Sequence, residues 1–194
     1  KIGVREVGER DLIIKILKER YSSSDKQIDE NTIIDDCNRF IALVEENPGS
    51  AHLFDRYFVF LTDEGRKKPK NIYLDQPYFG TGLGAYYGSL ECYSDMFPLS
   101  SFYAKCGLSV EKFQKFVSCI PRIGVRMPVE RQYISSSHPH RKNLLQDYYR
   151  RTRRTNTEID KDWIIPGLSE VLESPSIELS KLIWTTLKKE RLEI

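Results

Sequence analysis

The stretch Tyr78–Gly88 reads "YFGTGLGAYYG", and the way its glycines are used decides what kind of fold to expect. Backbone N–H groups in a glycine-rich turn ahead of a helix can cradle phosphate, which would make this a nucleotide-binding domain. The other reading is a turn and a helix start. Thr81 then caps a short helix whose inward face is Leu83, Tyr86 and Tyr87, and the glycines let it pack closely against a β-hairpin.

Spacing favours the turn. A dinucleotide fingerprint fails because "GTGLGA" lacks the third glycine and strands do not alternate with helices around it. An ATP site of the histidine-kinase type needs more than a glycine lid. It also requires an Asn-bearing helix for magnesium and an Asp-x-Gly-x-Gly turn for adenine. Asn38 does lie in a helical stretch, but the one Asp-Gly candidate, "TDEGRK", carries Lys67 where the second glycine belongs. The run from Asp63 to Gly80 is also short for a lid plus helices. A degenerate nucleotide-binding loop over residues 80–84 therefore ranks third among the functional readings.

Outward from that stretch the pattern is mainly helical. Leu12, Ile13, Ile16, Leu17 and Tyr21 recur at helical spacing, and so do Ile33, Ile34, Cys37, Phe40, Ile41 and Val44. Asn31 is the expected cap of the second helix, and "NPGS" ends it. Two β-rich runs, Tyr57–Leu61 and Asn71–Leu74, flank a polar connection and predict one hairpin. Ser109 is the expected cap of a helix from Val110 that turns Phe113, Phe116, Val117 and Ile120 inward and stops at Pro121. Ser135–Lys142 reads as a loop, and Leu144, Leu145, Tyr148 and Tyr149 have helical spacing. A short helix is expected between Pro166 and Ser174–Pro175, then a final amphipathic helix in "IELSKLIWTTLKKE". "KIGVRE" at Lys1–Glu6 is echoed by "RIGVRM" at Arg122–Met127, where the glycine is placed to reverse the chain after a helix. The first copy is expected to follow a helix in the same way, as shared local geometry rather than a duplicated domain. The fold class expected is mainly α with a small β-hairpin (α+β), bundle-like. It forms one domain over residues 1–194, with a subdivision into 1–121 and 122–194 as the alternative.

With 194 residues, 40% hydrophobic and 30% charged, the chain can bury a core and solvate its surface. No run of about 18 apolar residues is present, so no membrane partner is expected. The first residues lack both an apolar signal centre and an initiator Met, which suggests a fragment of a larger multidomain protein. Cys37, Cys92, Cys106 and Cys119 stand apart among apolar neighbours, as free core thiols of a cytoplasmic protein do.

Charge is segregated beneath a formal net of +2. Residues 1–121 hold 16 basic and 18 acidic side chains, residues 122–154 hold 9 and 2, and residues 155–194 hold 5 and 8. The middle segment supplies the candidate nucleic-acid contacts: Arg141, Lys142, Arg150, Arg151, Arg153 and Arg154, beside Tyr148 and Tyr149. Because those tyrosines share a face with Leu144 and Leu145, the favoured reading sends them to the core. The arginines then answer acidic parts of the same protein. His138 and His140 have no accompanying ligand set for a metal, and "YSSSD" and "ISSSH" have no nucleophile context. Glu158, Asp160 and Asp162 read as a turn and helix entry before Trp163. No catalytic residue, cofactor or metal is nominated.

Several phrases stand together in a particular order. "IGVRE" (Ile2–Glu6) leads into "RDLIIKILKERY", "IYLDQPYFGTGL" spans Ile72–Leu83, and "FQKFVSCIPRIGV" spans Phe113–Val125. "TNTEIDKDWIIPGLSEVL" (Thr155–Leu172) then precedes "LSKLIWTTL" (Leu179–Leu187). This order resembles the region beyond the ATPase domain in large bacterial proteins with a sacsin-like, GHKL-type (heat-shock-chaperone-like) N-terminal ATP-binding domain. The resemblance implies that ATP binds elsewhere in the parent protein and that this piece is a helical companion region. Its partners would be other domains of the same parent chain, or another protein, within a chaperone-like or defence-associated machine. A non-catalytic scaffold or interaction module is thus the first expectation, and a nucleic-acid-binding module using residues 141–154 the second.

Overall fold

The computed structural model describes residues 8–133, 151 and 161–189. Among these residues the protein is mainly α, with three two-stranded sheets as its small β part.

Helix α1 spans Glu9–Arg20, with acids Glu9 and Asp11 in its first turn and Lys18 and Arg20 in its last, both matched to the helix dipole. Ile13, Ile16 and Leu17 form its buried face. Helix α2 spans Glu30–Glu46 and buries Ile33, Cys37, Phe40, Ile41 and Val44 as the period demands. Its cap is Asp29 rather than Asn31. The Asp29 carboxylate accepts from Thr32 N–H at 2.9 Å and from the Thr32 hydroxyl at 2.6 Å, and these bonds hold it below the usual carboxylate range. Between the two helices lies an ionic lock whose acid is buried and whose Arg20 is partly in water. Asp36, 1% exposed, accepts two Arg20 bonds at 2.7 and 2.9 Å and one from the Tyr21 hydroxyl at 3.0 Å.

After a 3₁₀ segment (Pro48–Arg56) the expected hairpin forms, but with another partner. Strand β1 (Phe60–Thr62) pairs antiparallel with β2 (Gly65–Lys67), not with the Asn71–Leu74 run. The chain reverses early because Gly65 adopts φ +93° and the Thr62 hydroxyl donates to its carbonyl at 2.7 Å. Buried Arg66 on β2 then donates to the carbonyls of Arg20, Ser23, Ser24 and Lys26, clamping the hairpin onto the exit of α1. The second run becomes β3 (Ile72–Tyr73), which pairs in parallel with a late strand, β4 (Phe97–Pro98). Between them runs the glycine stretch and helix α3 (Leu83–Tyr87).

Helix α4 (Phe102–Lys105) and α5 (Val110–Cys119) follow. Ser109 caps α5 as expected, accepting from Lys112 N–H at 3.4 Å, and Phe113, Phe116 and Val117 are buried. Of the cysteines, Cys37 is buried and Cys106 half-buried, but Cys119 is exposed. It lies off the Phe113–Phe116–Val117 face, so apolar neighbours in sequence do not bury it. The chain reversal after α5 also differs from expectation. Arg122, not Gly124, takes the left-handed conformation, at φ +70°.

Strand β5 (Glu130–Tyr133) pairs antiparallel with β6 (Lys161–Ile164), so Asp162 and Trp163 lie in a strand and not in the expected helix entry, because cross-strand pairing with β5 claims this backbone. Helices α6 (Leu168–Glu173) and α7 (Ile177–Lys189) complete the described chain. Two cores result. The first gathers α1, α2, the 3₁₀ segment and α5 around Phe40, Phe54, Phe113 and Phe116. The second joins Tyr73, Leu83, Tyr86 and Tyr87 to Met127, Ile165, Val171 and Leu179. The glycine stretch contributes to both cores, with Tyr78 in the first and Leu83 in the second. Among the described residues no helix is long and apolar enough to cross a membrane.

Candidate functional site

The loop that raised the question of phosphate binding already holds an anion, and the anion is the chain's own. Asp75 sits just after β3, in the turn that contains the cis Gln76–Pro77 bond. Its Oδ1 accepts from Gln76 N–H at 2.9 Å and Gly82 N–H at 3.2 Å, and its Oδ2 accepts from Gly84 N–H at 2.7 Å. The Gly82 and Gly84 amides, at the start of α3, are of the kind a phosphate would use.

Two of the glycines here have distinct tasks. Gly82 has φ +73°, where a side chain is strained. At Gly84 an added Cβ would lie 3.0 Å from Asp75 Oδ2, so a larger residue would displace the carboxylate. Thr81 does take part, though not as the capping residue itself. Its hydroxyl donates to Leu74 O at 2.6 Å and accepts from Leu83 N–H at 3.3 Å, while Gly82 occupies the cap position. Leu83, Tyr86 and Tyr87 are all buried, as their spacing requires.

Tyrosines pack around this joint. Tyr73 stacks on Tyr87 at 4.8 Å between ring centroids, and Tyr93 meets Tyr87 edge-on at 5.3 Å. Burial pushes the Tyr87 phenol up to about 12, so it stays protonated at neutral pH. Tyr86 donates its hydroxyl to the Pro166 carbonyl, and a Cβ on Gly167 would lie 2.5 Å from Leu90. These contacts lock the C-terminal helices onto α3. A cleft of about 450 Å³ opens beside Tyr87 along Ile123–Glu130.

Other parts of the ATP-site reading are distributed elsewhere. Asp63 and Glu64 form the β1–β2 turn, Gly65 opens β2, and Asn38 is exposed on α2. Among the described residues no group of three or more His, Cys, Asp and Glu side chains is placed to hold a metal.

Of the candidate nucleic-acid residues, only Arg151 falls among the described ones, as an exposed helical residue. Arg141, Lys142, Arg150, Arg153 and Arg154 lie outside them, as do Tyr148, Tyr149, His138, His140, Glu158 and Asp160. The ends of that excursion are nonetheless placed. Tyr133 on β5 pairs with Lys161 on β6, so all six basic residues are carried between two paired strands.

Sequence spacing did not point to two further features. One is Asp75, whose only signal is an acid in an Asp-Gln-Pro turn ahead of the glycines. The other is the outward face of α7. Ile177 and Trp184 are 69% and 63% exposed, with exposed Lys181 and Lys188 on the same side, while Leu179 faces the core at 1%. Two large apolar side chains thus stand in water between lysines on that face.

No protein-family model, curated protein or solved structure matches this chain.

Proposed function

We propose that this chain is a non-catalytic, mainly helical scaffold or interaction module of a large sacsin-like ATP-binding protein, with ATP held by another part of the parent. Asp75 carries this reading. A loop that evolved to hold nucleotide phosphate keeps its amides free, whereas here the amides of Gly82 and Gly84 are spent on an internal carboxylate. The loop's chemistry goes into joining two cores, which suits a part that transmits or reads the state of a neighbouring domain. The outward Ile177 and Trp184 supply apolar surface for such a neighbour.

Calorimetric titration with ATP and magnesium tests the point. No heat is expected at millimolar nucleotide. Saturable heat lost on Gly84→Ala would place a nucleotide in residues 80–84 and overturn the module reading.

A second reading, a nucleic-acid-binding module, is favoured by one observation: the six basic residues fall in the chain between the paired strands β5 and β6, and Arg151 among them is exposed. Labelled DNA and RNA titrated across a salt series decide between the two. Affinity that falls steeply with salt and is lost on Arg150→Ala/Arg151→Ala would favour nucleic acid, and salt-insensitive or absent binding would favour the scaffold.

A further inference from the structure

Helix α7 carries six large apolar side chains, and the fold covers only one of them fully. Leu179 is buried, and Leu182, Ile183 and Leu187 are half-buried against the second core. Ile177 and Trp184 stand out at 69% and 63% exposure. With 3.6 residues per turn the outer side chains are not scattered. Ile183, Leu187, Trp184 and Ile177 fall along one continuous arc beside the core-facing side, and the small Ser180 lies in its middle.

The arc also follows a seven-residue repeat. Ile177 and Trp184 share one position, Ser180 and Leu187 share the position three residues later, and Lys181 and Lys188 share the next. That is the a, d and e pattern of a helix-pairing seam, in which a and d side chains interdigitate with a second helix and e charges select it. Both lysines are exposed, and neither forms an ion pair among the described residues. Glu178 is the one acid of α7, and it stands outside the seam. Because the second core already holds α7 in place, a partner would meet a preorganised helix.

We propose that the outward face of α7 docks an acidic amphipathic helix of a neighbouring protein domain. Its apolar seam lies against Ile177, Trp184 and Leu187, and its carboxylates face Lys181 and Lys188. Charge selects this occupant. A second copy of α7 would bring no carboxylate to the seam and would leave both lysines unanswered. This names the partner of the interaction module proposed above and rests on that reading.

The test uses the full chain and two fluorescein-labelled synthetic helices, both with leucine at a and d. One carries glutamate at e and g, and the other carries lysine there. Polarisation should show the acidic helix binding at least about tenfold tighter than the basic one, with an affinity that weakens as salt rises. Lys181→Glu/Lys188→Glu should reverse the preference, and Trp184→Ala should weaken binding of the acidic helix about tenfold. Melting temperatures of these variants, which alter exposed side chains, check that the fold is kept. Binding of neither helix, equal binding of both, or a preference that the lysine reversal leaves in place would overturn the proposal. So would sedimentation with phosphatidylserine vesicles in place of helix binding, since the lysines would then face lipid. Such a failure would leave the ATP and nucleic-acid titrations unchanged. Nucleotide heat lost on Gly84→Ala would instead remove the module reading without altering the helix result.

Discussion

The two cores are built from similar residues but finish their surfaces differently. In the first, aromatic rings run continuously, with Phe40 against Phe54 at 5.0 Å, Phe54 against Phe116 at 5.4 Å and Tyr103 stacked on Phe113 at 4.5 Å. Its polar members are tied off by the Arg20–Asp36–Tyr21 network and by Arg66. The second core is closed on its inner side by Tyr86 and Gly167, yet Leu172, Ile177 and Trp184 on its helices remain exposed. A finished core supplies stability, and an unfinished outer face leaves surface for association. On the proposed reading, stability resides mainly in the N-terminal core and the C-terminal helices carry the surface for a partner.

The strongest way to break the comparison is Phe113→Ala. Removing a fully buried ring stacked on Tyr103 should cost about 3–5 kcal/mol, read from the urea midpoint. If the tryptophan fluorescence change and the far-ultraviolet transition coincide in that variant, the two cores unfold as one unit. If they separate, the cores are independently cooperative.

Asp75→Ala comes next. It leaves the Gly82 and Gly84 amides without their acceptor, for an expected loss of about 2 kcal/mol. Asp75→Asn, which keeps one carbonyl acceptor, should lose less. If Asp75→Ala instead creates a binding site for inorganic phosphate, the loop is a suppressed anion site rather than a joint.

Acid is a smaller lever. Hydrogen bonding depresses Asp29 in the folded state, so its cap contributes above the unfolded carboxylate pKa and is lost as pH falls through the lower folded value. Asp29→Asn, which keeps a capping oxygen, should flatten that part of the acid limb.

The smallest stability effect belongs to Trp184→Ala, within about 0.5 kcal/mol, because the side chain is largely in water. A loss as large as that of a core residue would mean that Trp184 completes the second core rather than facing a partner.

Much of the helical frame was readable from local rules. The stripes of α1, α2 and α5, the Ser109 cap and the burial of Leu83, Tyr86 and Tyr87 follow from a period of 3.6 residues and from capping chemistry. Where two local options competed, the structure chose between them. Asp29 displaced Asn31 as a cap because its carboxylate reaches both the amide and the hydroxyl of Thr32. The hairpin turned at Gly65, which left Ile72–Tyr73 to find β4. Of the candidate site, the basic residues were legible as a charge cluster, but Asp75 was not.

By itself, then, the sequence determined the helical character, the inward faces and the absence of a complete ATP-site signature, because these depend on spacing within a few turns of chain. Tertiary structure decided which strands pair, which residue reverses the chain after α5, and what fills the glycine loop. Each of those depends on groups brought together across the fold, as with Gly124 beside Tyr73, or on a choice among near-equal local options, as with the Asp75 carboxylate that takes the amides of Gly82 and Gly84.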